Sequence, residues 1–257
     1  MNLRWLETGG QILNLETRGC DMTDRLYYKD SYLKEFEGRI EQICENGVVI
    51  DRTSFYPGGG GQPSDRGYIT LRGVQYPVIS VSTINGKIVH EIIGFSSSIG
   101  EYVTGLLDWE RRYQLMRTHT ALHIVCGVIW REFQAHVTGS NMKPLEGRID
   151  FELESISSSV VDHIEELINN EVKASRGINA RFIPRDEAFK NPELVRTKIN
   201  LLPEGITEVR IVEIDGLDVQ ADGGTHVSNT NEVGSLKIVA HESKGKINKR
   251  LRIALGD

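Results

Sequence analysis

From Asp24 onward the chain alternates apolar and polar positions in short runs broken by turn residues. A period of two of this kind marks strands with one face buried. Within RLYYKDSYLKEFEGRIEQICENGVVIDRTSFYP, residues 39–43 and 47–51 read as the arms of a hairpin around Glu45-Asn46-Gly47. Short strands continue through YITLRG, VQYPVISVSTING, KIVHEII and EYVTGLLD, and Asn85-Gly86 is a strong two-residue hairpin signal. Residues 24–108 are thus expected to form a small, β-barrel-like domain with a glycine-rich loop at 57–62. Residues 1–23 carry no clear periodicity and read as a disordered N-terminal extension.

At Asp108 the period changes to that of a helix, spanning 109–134. Leu115, Leu122, Val125, Ile129 and Phe133 fall on one face, and His119, His123, Cys126 and Trp130 on a neighbouring one. A second helix over 155–175 carries Ile156, Val160, Val161, Ile164, Leu167, Ile168 and Val172, with Gly177 as its stop. RIDFELE, ARFIP, EVRIVEI, LDVQA, GSLKIVAHES and RLRIAL read as strands. The expected class is α+β: the β-rich domain, then residues 109–257 as a core with helices packed on a largely antiparallel sheet.

A chain of 257 residues with 39% hydrophobic and 26% charged positions can bury a substantial core, as one large or two small domains. No apolar run approaches the ~20 residues a membrane span needs, and no secretory signal is visible. Three cysteines, Cys20, Cys44 and Cys126, form no CxxC pair and leave an odd count, which points to a reduced, cytoplasmic setting. The net charge of −6 does not advertise nucleic-acid binding. Lys244, Lys246, Lys249, Arg250 and Arg252 are nevertheless crowded together, either as a solvated face or as a phosphate-contacting patch.

Two stretches carry candidate chemistry. RTHTALHIV places His119 and His123 four apart on a helix, close enough to share a zinc ion. Thr120, Ala121 and Leu122 leave no glutamate between them, which argues against a zinc protease. QADGGTHVS sets Asp222 and His226 about two glycines, which let the backbone turn and bring both side chains to one point. Packed histidines and an ordinary turn are the plain alternatives for the two motifs taken singly. Cys126 is better read as packing, since three ligands in line along a helix cannot easily close a tetrahedron. SFYPGGGGQPSDRG lacks the GK[ST] of a phosphate loop and no helix follows it. Held by flanking aromatic and proline residues, its glycines can bring backbone amides close to a ligand, and Gln62 can both donate and accept.

In order, DRTSFYPGGGGQPSDRG, RTHTALHIVCGV, HVTGSNM, RIDFE, DVQADGGTHVSNTNEVGSLKIV and KGKINKRLRI resemble the editing domain of alanyl-tRNA synthetase. They more closely resemble the free-standing alanyl-tRNA editing proteins, AlaX, of the medium-length class, over roughly residues 24–255. The resemblance implies an ATP-independent hydrolase that deacylates mischarged Ser-tRNA(Ala), and Gly-tRNA(Ala) as a second substrate. It implies one Zn2+ held by His119, His123, residue 222 and His226. The family usually has cysteine at 222, and Asp222 implies weaker zinc binding here. Gln62 and Thr138 would be catalytic, with Thr138 reading the serine hydroxyl that alanine lacks. Gly59, Gly60, Gly61, Gly139 and Ser140 would line the substrate, and Lys244, Lys246, Lys249, Arg250 and Arg252 would meet the tRNA. A monomer working in the cytoplasm is expected. The alternative is a non-catalytic tRNA-binding module whose metal site has decayed; a hydrolase of another ester or amide is the third reading.

Overall fold

The structure is a computed structural model, and it describes residues 23–190, 194 and 207–256. The expected N-terminal extension therefore lies outside the described residues except for Thr23, and so does Cys20.

The first half is a barrel. β1 (Asp24–Arg25) and the single-turn helix α1 (Leu26–Lys29) lead into β2 (Glu35–Cys44), β3 (Gly47–Ile50) and β4 (Arg52–Thr53), which pairs in parallel with β1. β5 (Gly67–Leu71), β6 (Val74–Ile84), β7 (Lys87–Ile92) and β8 (Tyr102–Leu107) follow. Six of these strands close in the order β2-β3-β7-β6-β5-β8. Ile40, Val48, Ile50, Ile69, Val81, Ile88 and Val103, the inward residues of their strands, fill the interior together with Phe55 from the loop after β4.

Asn85 and Gly86 link β6 to β7 with φ of 50° and 80°, the paired positive values of a twist-matched hairpin turn. Arg72-Gly73 does the same between β5 and β6, with φ of 52° and 78°. Pro77 sits inside β6 without harm. The strand pairs with β5 up to Val78 and with β7 from Val78 onward, so the missing N–H falls where β6 has one partner.

α2 (Trp109–Phe133) is capped by the Asp108 carboxylate, which accepts from Arg111 N at 3.2 Å. It ends at Gln134, which takes the left-handed conformation at φ 52°. The sequence suggested an apolar face beside a mixed one; both are buried as far as Ile129, because α2 runs through the centre of the second half, while Phe133 in the last turn is exposed. Its Leu115, Met116, Ile124, Val125, Val128 and Ile129 form the heart of the core, and Cys126 packs there.

β9 (Val137–Lys143), β10 (Glu146–Glu152), β14 (Leu236–Ser243) and β15 (Asn248–Leu255) make an antiparallel sheet in the order β14-β15-β10-β9. Between them in sequence come α3 (Ser158–Lys173), β11 (Ile178–Pro184), α4 (Arg185–Lys190), β12 (Glu208–Ile214) and β13 (Asp218–Ala221). β11, β12 and β13 form a second antiparallel sheet. The class is α+β, as the pattern implied. α3 stops earlier than Gly177: Ser175 turns the chain at φ 52°. Gly177 serves a bridge to Asn229 instead, where a Cβ would come within 2.7 Å of Asp215 Oδ2.

Two polar latches join the halves. Arg112 of α2, fully buried, donates from Nε to both oxygens of Asp65 at 3.0 Å, and from Nη1 to Ser31 O at 3.0 Å. Tyr32 donates to Glu232 at 2.7 Å, and Tyr113 of α2 donates to the same carboxylate at 3.0 Å.

Candidate metal centre

His119 and His123 stand one turn apart on α2, and Asp222 and His226 lie just beyond the end of β13. The fold brings all four together: one ligand atom from each lies within 4.8 Å of every other. Asp222 Oδ1 is 3.5 Å from His119 Nε2, and Asp222 Oδ2 is 3.0 Å from His226 Nε2. Ring centroids of the three histidines are 4.4–5.2 Å apart. Gly224 makes the approach possible, since a Cβ there would overlap the His119 ring. Gly224 N also donates to Asp222 Oδ2 at 2.7 Å, and Arg210 Nη1 donates to the carbonyls of Asp222 and Gly224 at 3.1 and 3.0 Å.

The outward ring nitrogens are each engaged. His119 Nδ1 is 2.9 Å from Gln62 Oε1. The amide cannot be the other way round, because Thr225 N–H donates to the same oxygen at 3.0 Å while Gln62 Nε2 donates to Thr225 Oγ1 at 2.8 Å. His119 therefore carries its proton on Nδ1 and keeps the Nε2 lone pair for the centre. His123 Nδ1 donates to Asp218 Oδ2 at 2.9 Å, and Gln220 Nε2 donates to that oxygen at 2.8 Å. Thr120 Oγ1 lies 3.2 Å from His226 Nδ1. An oxygen partner on the far nitrogen is the arrangement that aims a metal-ligating imidazole.

Electrostatics agree with a cation site. Burial pushes the His226 imidazole down to about 4 and holds His119 well below its ordinary value. Burial opposes the Asp222 anion, yet the surrounding imidazoles, His119 foremost, hold its carboxyl well below the usual range. At neutral pH the cluster thus offers His119 and His226 as neutral imidazoles and Asp222 as a carboxylate. Zinc–nitrogen bonds of about 2.0–2.1 Å imply tetrahedral ligand atoms roughly 3.3 Å apart, and the Asp222 distances are of that size. The donor set and spacing fit a divalent ion.

The glycine-rich loop reaches the same place. Gly58, Gly59, Gly60 and Gly61 all have positive φ, from 57° to 131°, which side chains would resist. A Cβ on Gly60 would be 3.6 Å from Asp222 Oδ1, and one on Gly61 would be 3.1 Å from Ser140 Oγ. Met142 N donates to Gly61 O at 3.2 Å, tying the loop to β9. Gly59 O accepts from Tyr56 Oη at 3.1 Å, and Gly139 faces Asp150. Thr138, by contrast, is exposed and donates to Asn248 Oδ1 at 3.1 Å.

The basic run is more committed than its sequence suggests. Lys249 is buried and donates to Gly245 O and Lys246 O at 3.1 and 3.2 Å. Arg250 forks onto Asp150 at 2.7 and 2.8 Å, and Arg252 and Lys244 both pair with Glu242. Lys246 is exposed. The sequence reading missed Asp218, Gln220, Arg210, Thr120 and Thr225. A signal for the first two was present: Asp218, Gln220 and Asp222 alternate with Val219 and Ala221, so one face of LDVQAD is polar.

Residues 209–252 match the family described as Threonyl and Alanyl tRNA synthetase second additional domain, and residues 20–111 match tRNA synthetases class II (A). The alanyl-tRNA editing protein AlaX-M of Saccharolobus solfataricus is 42% identical over 233 residues, which cover 90% of this chain and 98% of that protein. The chain belongs to the AlaX-M family of alanyl-tRNA editing proteins. The AlaX-M protein of Methanosarcina barkeri is 40% identical over 243 residues, covering 92% of this chain and all of that one. An alanine–tRNA ligase of Ignicoccus hospitalis is 38% identical over 229 residues, 87% of this chain but 25% of the ligase. An AlaX-M chain is thus similar to one quarter of a larger enzyme. His119 and His123 fall outside both matched segments, so their place beside Asp222 and His226 comes from the fold.

Proposed function

We propose that the protein is a trans-editing deacylase that hydrolyses the ester of mischarged Ser-tRNA(Ala), and of Gly-tRNA(Ala) second, without ATP. The observation that carries this reading is the buried His119/His123/Asp222/His226 centre held against the glycine-rich loop by Gln62, in a chain of the AlaX-M family. In this reading residues 24–108 present the loop and residues 109–257 the metal centre.

His119, His123, Asp222 and His226 would hold one Zn2+. When bound, zinc supplies a Lewis acid able to polarise an ester carbonyl or fix a substrate amine. The chain's own groups do the rest. Gln62, its amide set by Thr225, fixes the His119 ring. The amides of Gly59, Gly60 and Gly61, bare of side chains, can approach the aminoacyl group. Thr138, Gly139 and Ser140 on β9 are assigned to the amino-acid side chain, with Thr138 as hydroxyl reader. A site that hydrogen-bonds a hydroxyl rejects an analogue lacking it by a large factor. Alanine is such an analogue, so correctly charged tRNA is spared. The β14–β15 hairpin, with Lys244 and Lys246 in its turn and Lys249, Arg250 and Arg252 on β15, is assigned to acceptor-stem phosphates. Among the described residues no helix is long and apolar enough to cross a membrane, and the proposed setting is the cytoplasm, as a monomer.

The test is the rate of deacylation of Ser-tRNA(Ala), Gly-tRNA(Ala) and Ala-tRNA(Ala), with and without a metal chelator. Chelator-sensitive loss of serine, with alanine retained, is expected. Tight binding of tRNA(Ala) with no hydrolysis of any ester would overturn the enzyme reading in favour of a binding module.

A further inference from the structure

The three-stranded sheet has two unlike faces. Ile183, Val209, Ile211, Val219 and Ala221 pack against Ala188 of α4 and Leu194. Cross-strand partners share a face, and Phe182 stands opposite Arg210, Val212 opposite Gln220, and Ile214 opposite Asp218. The second face therefore runs from Asp218 and Gln220, behind His123, to Arg210 beside Asp222, and out to Phe182.

Phe182 is 49% exposed although its own face leads to the buried centre. It lies edge-on to Tyr28 of α1, with ring centroids 5.8 Å apart at 67°. The Arg210 guanidinium sits over the Tyr28 ring at 5.2 Å, a cation–π distance. Tyr28 Oη is 3.4 Å from where a Cβ on Gly223 would stand, which brings the aromatic pair to the edge of the metal-binding turn. Arg210 itself is 92% buried, and its Nε has no hydrogen-bond partner among the described residues. A buried donor without a partner is costly, and here it lies between the Asp222 turn and the Tyr28 ring, against which the exposed Phe182 packs.

We propose that the exposed ring of Phe182, braced by Tyr28, receives the base of the 3′-terminal nucleotide, with Arg210 Nε donating to that nucleotide's sugar–phosphate. This inference rests on the deacylase reading. The scissile ester is carried by the ribose that also carries this base, so the base must settle within one nucleoside of the centre. Arg210 links the two sites: its guanidinium is 5.2 Å from the Tyr28 ring and its Nη1 is 3.9 Å from Asp222 Oδ2. Every nucleobase has a π face, and aromatic side chains hold bases by stacking with little regard to sequence. That suits a terminus whose identity does not vary.

The experiment compares binding of uncharged tRNA(Ala) with a complete 3′ end against the same RNA lacking its terminal adenosine. It uses zinc-loaded protein and its Phe182→Ala and Phe182→Trp variants. The native protein is expected to favour the complete RNA about fivefold or more, Phe182→Ala to lose that preference, and Phe182→Trp to keep it. In deacylation Phe182→Ala should raise KM by more than it lowers kcat, with zinc content unchanged. A Phe182→Ala protein with the native preference would overturn the proposal while leaving the deacylase reading intact. A native protein that binds neither RNA and deacylates no Ser-tRNA(Ala) would overturn both.

Discussion

Two kinds of buried histidine occur in this protein, and their neighbours tell them apart. His119, His123 and His226 turn one nitrogen to an oxygen partner and the other to a shared point. His90, fully buried in the barrel, has both nitrogens taken by barrel groups: Nε2 is 2.8 Å from Thr53 Oγ1 and Nδ1 is 3.3 Å from Val48 O. For the first kind the outer partner matters. Asp218→Asn keeps the shape but removes the charge behind His123, and zinc affinity should fall about 10–100-fold, as read by competition with a chromogenic chelator. An unchanged affinity would mean that Asp218 only packs. For the second kind protonation matters. Burial lowers His90 from 6.5 to about 4. Above pH ~6.5 neither state binds the proton; between 6.5 and 4 the unfolded chain binds it and the fold does not, so stability falls as pH drops through that window. At pH 5 this amounts to about 2 kcal/mol relative to pH 7. Urea unfolding of His90→Gln should show a correspondingly smaller loss between these pH values; an equal loss would assign the acid sensitivity elsewhere. At this scale the sequence was legible where spacing does the work. HxxxH and DGGTH each put their ligands together by local geometry. Asp218 was not, because its link to His123 spans 95 positions and depends on how β13 lies against α2.

Among elements, the loop between β4 and β5 is fastened to α2 by two side-chain links above all, with Arg111 Nη2 donating to Ser64 O at 3.2 Å beside them. Gln62 meets His119 in one, and Asp65 meets Arg112 in the other, two helical turns earlier. Asp65 Oδ2 also accepts from Tyr56 N at 2.6 Å, closing the loop on itself. Arg112 and Asp65 are 0% and 1% exposed at the side chain, so removing one partner strands a charge out of water. Asp65→Ala should cost about 3–5 kcal/mol in denaturant unfolding. Asp65→Leu combined with Arg112→Met should recover a large part, since the pair's desolvation cost disappears with it. A mild Asp65→Ala effect with no recovery in the double variant would show that water reaches the arginine. Pairing between elements also explains what sequence could not supply. The run from Lys244 to Arg252 looks like free positive charge when read along the chain. Across the β10–β15 and β14–β15 registers, Asp150 stands opposite Arg250 and Glu242 is brought beside Arg252. The two long helices and most of the strands were readable from period alone, whereas β9, α1 and α4 were not. The stop of α3 was not, because Ser175 adopts the left-handed turn that the pattern assigned to Gly177.

At the scale of the molecule, the centre belongs to neither half alone. Its four candidate ligands lie on the second half, yet His119 is aimed by a barrel glutamine, and the glycine loop of the barrel covers Asp222. Arg112–Asp65 and Tyr32–Glu232 hold the same seam from two other directions. A group that binds only the folded centre therefore stabilises the seam, and with it the barrel. At a free zinc concentration 100 times the Kd the gain is about 2.7 kcal/mol, which for a chain of this size raises the unfolding midpoint by about 5–10 °C. Calorimetry should show one transition, moving as a whole as zinc is added. Two transitions, with the barrel's fixed and the other shifted, would mean that the Gln62 and Asp65 links are too weak to couple the halves. Asp65→Ala offers a check within the same experiment: by cutting one fastening while leaving all four ligands, it should split the single transition if the coupling runs through the loop.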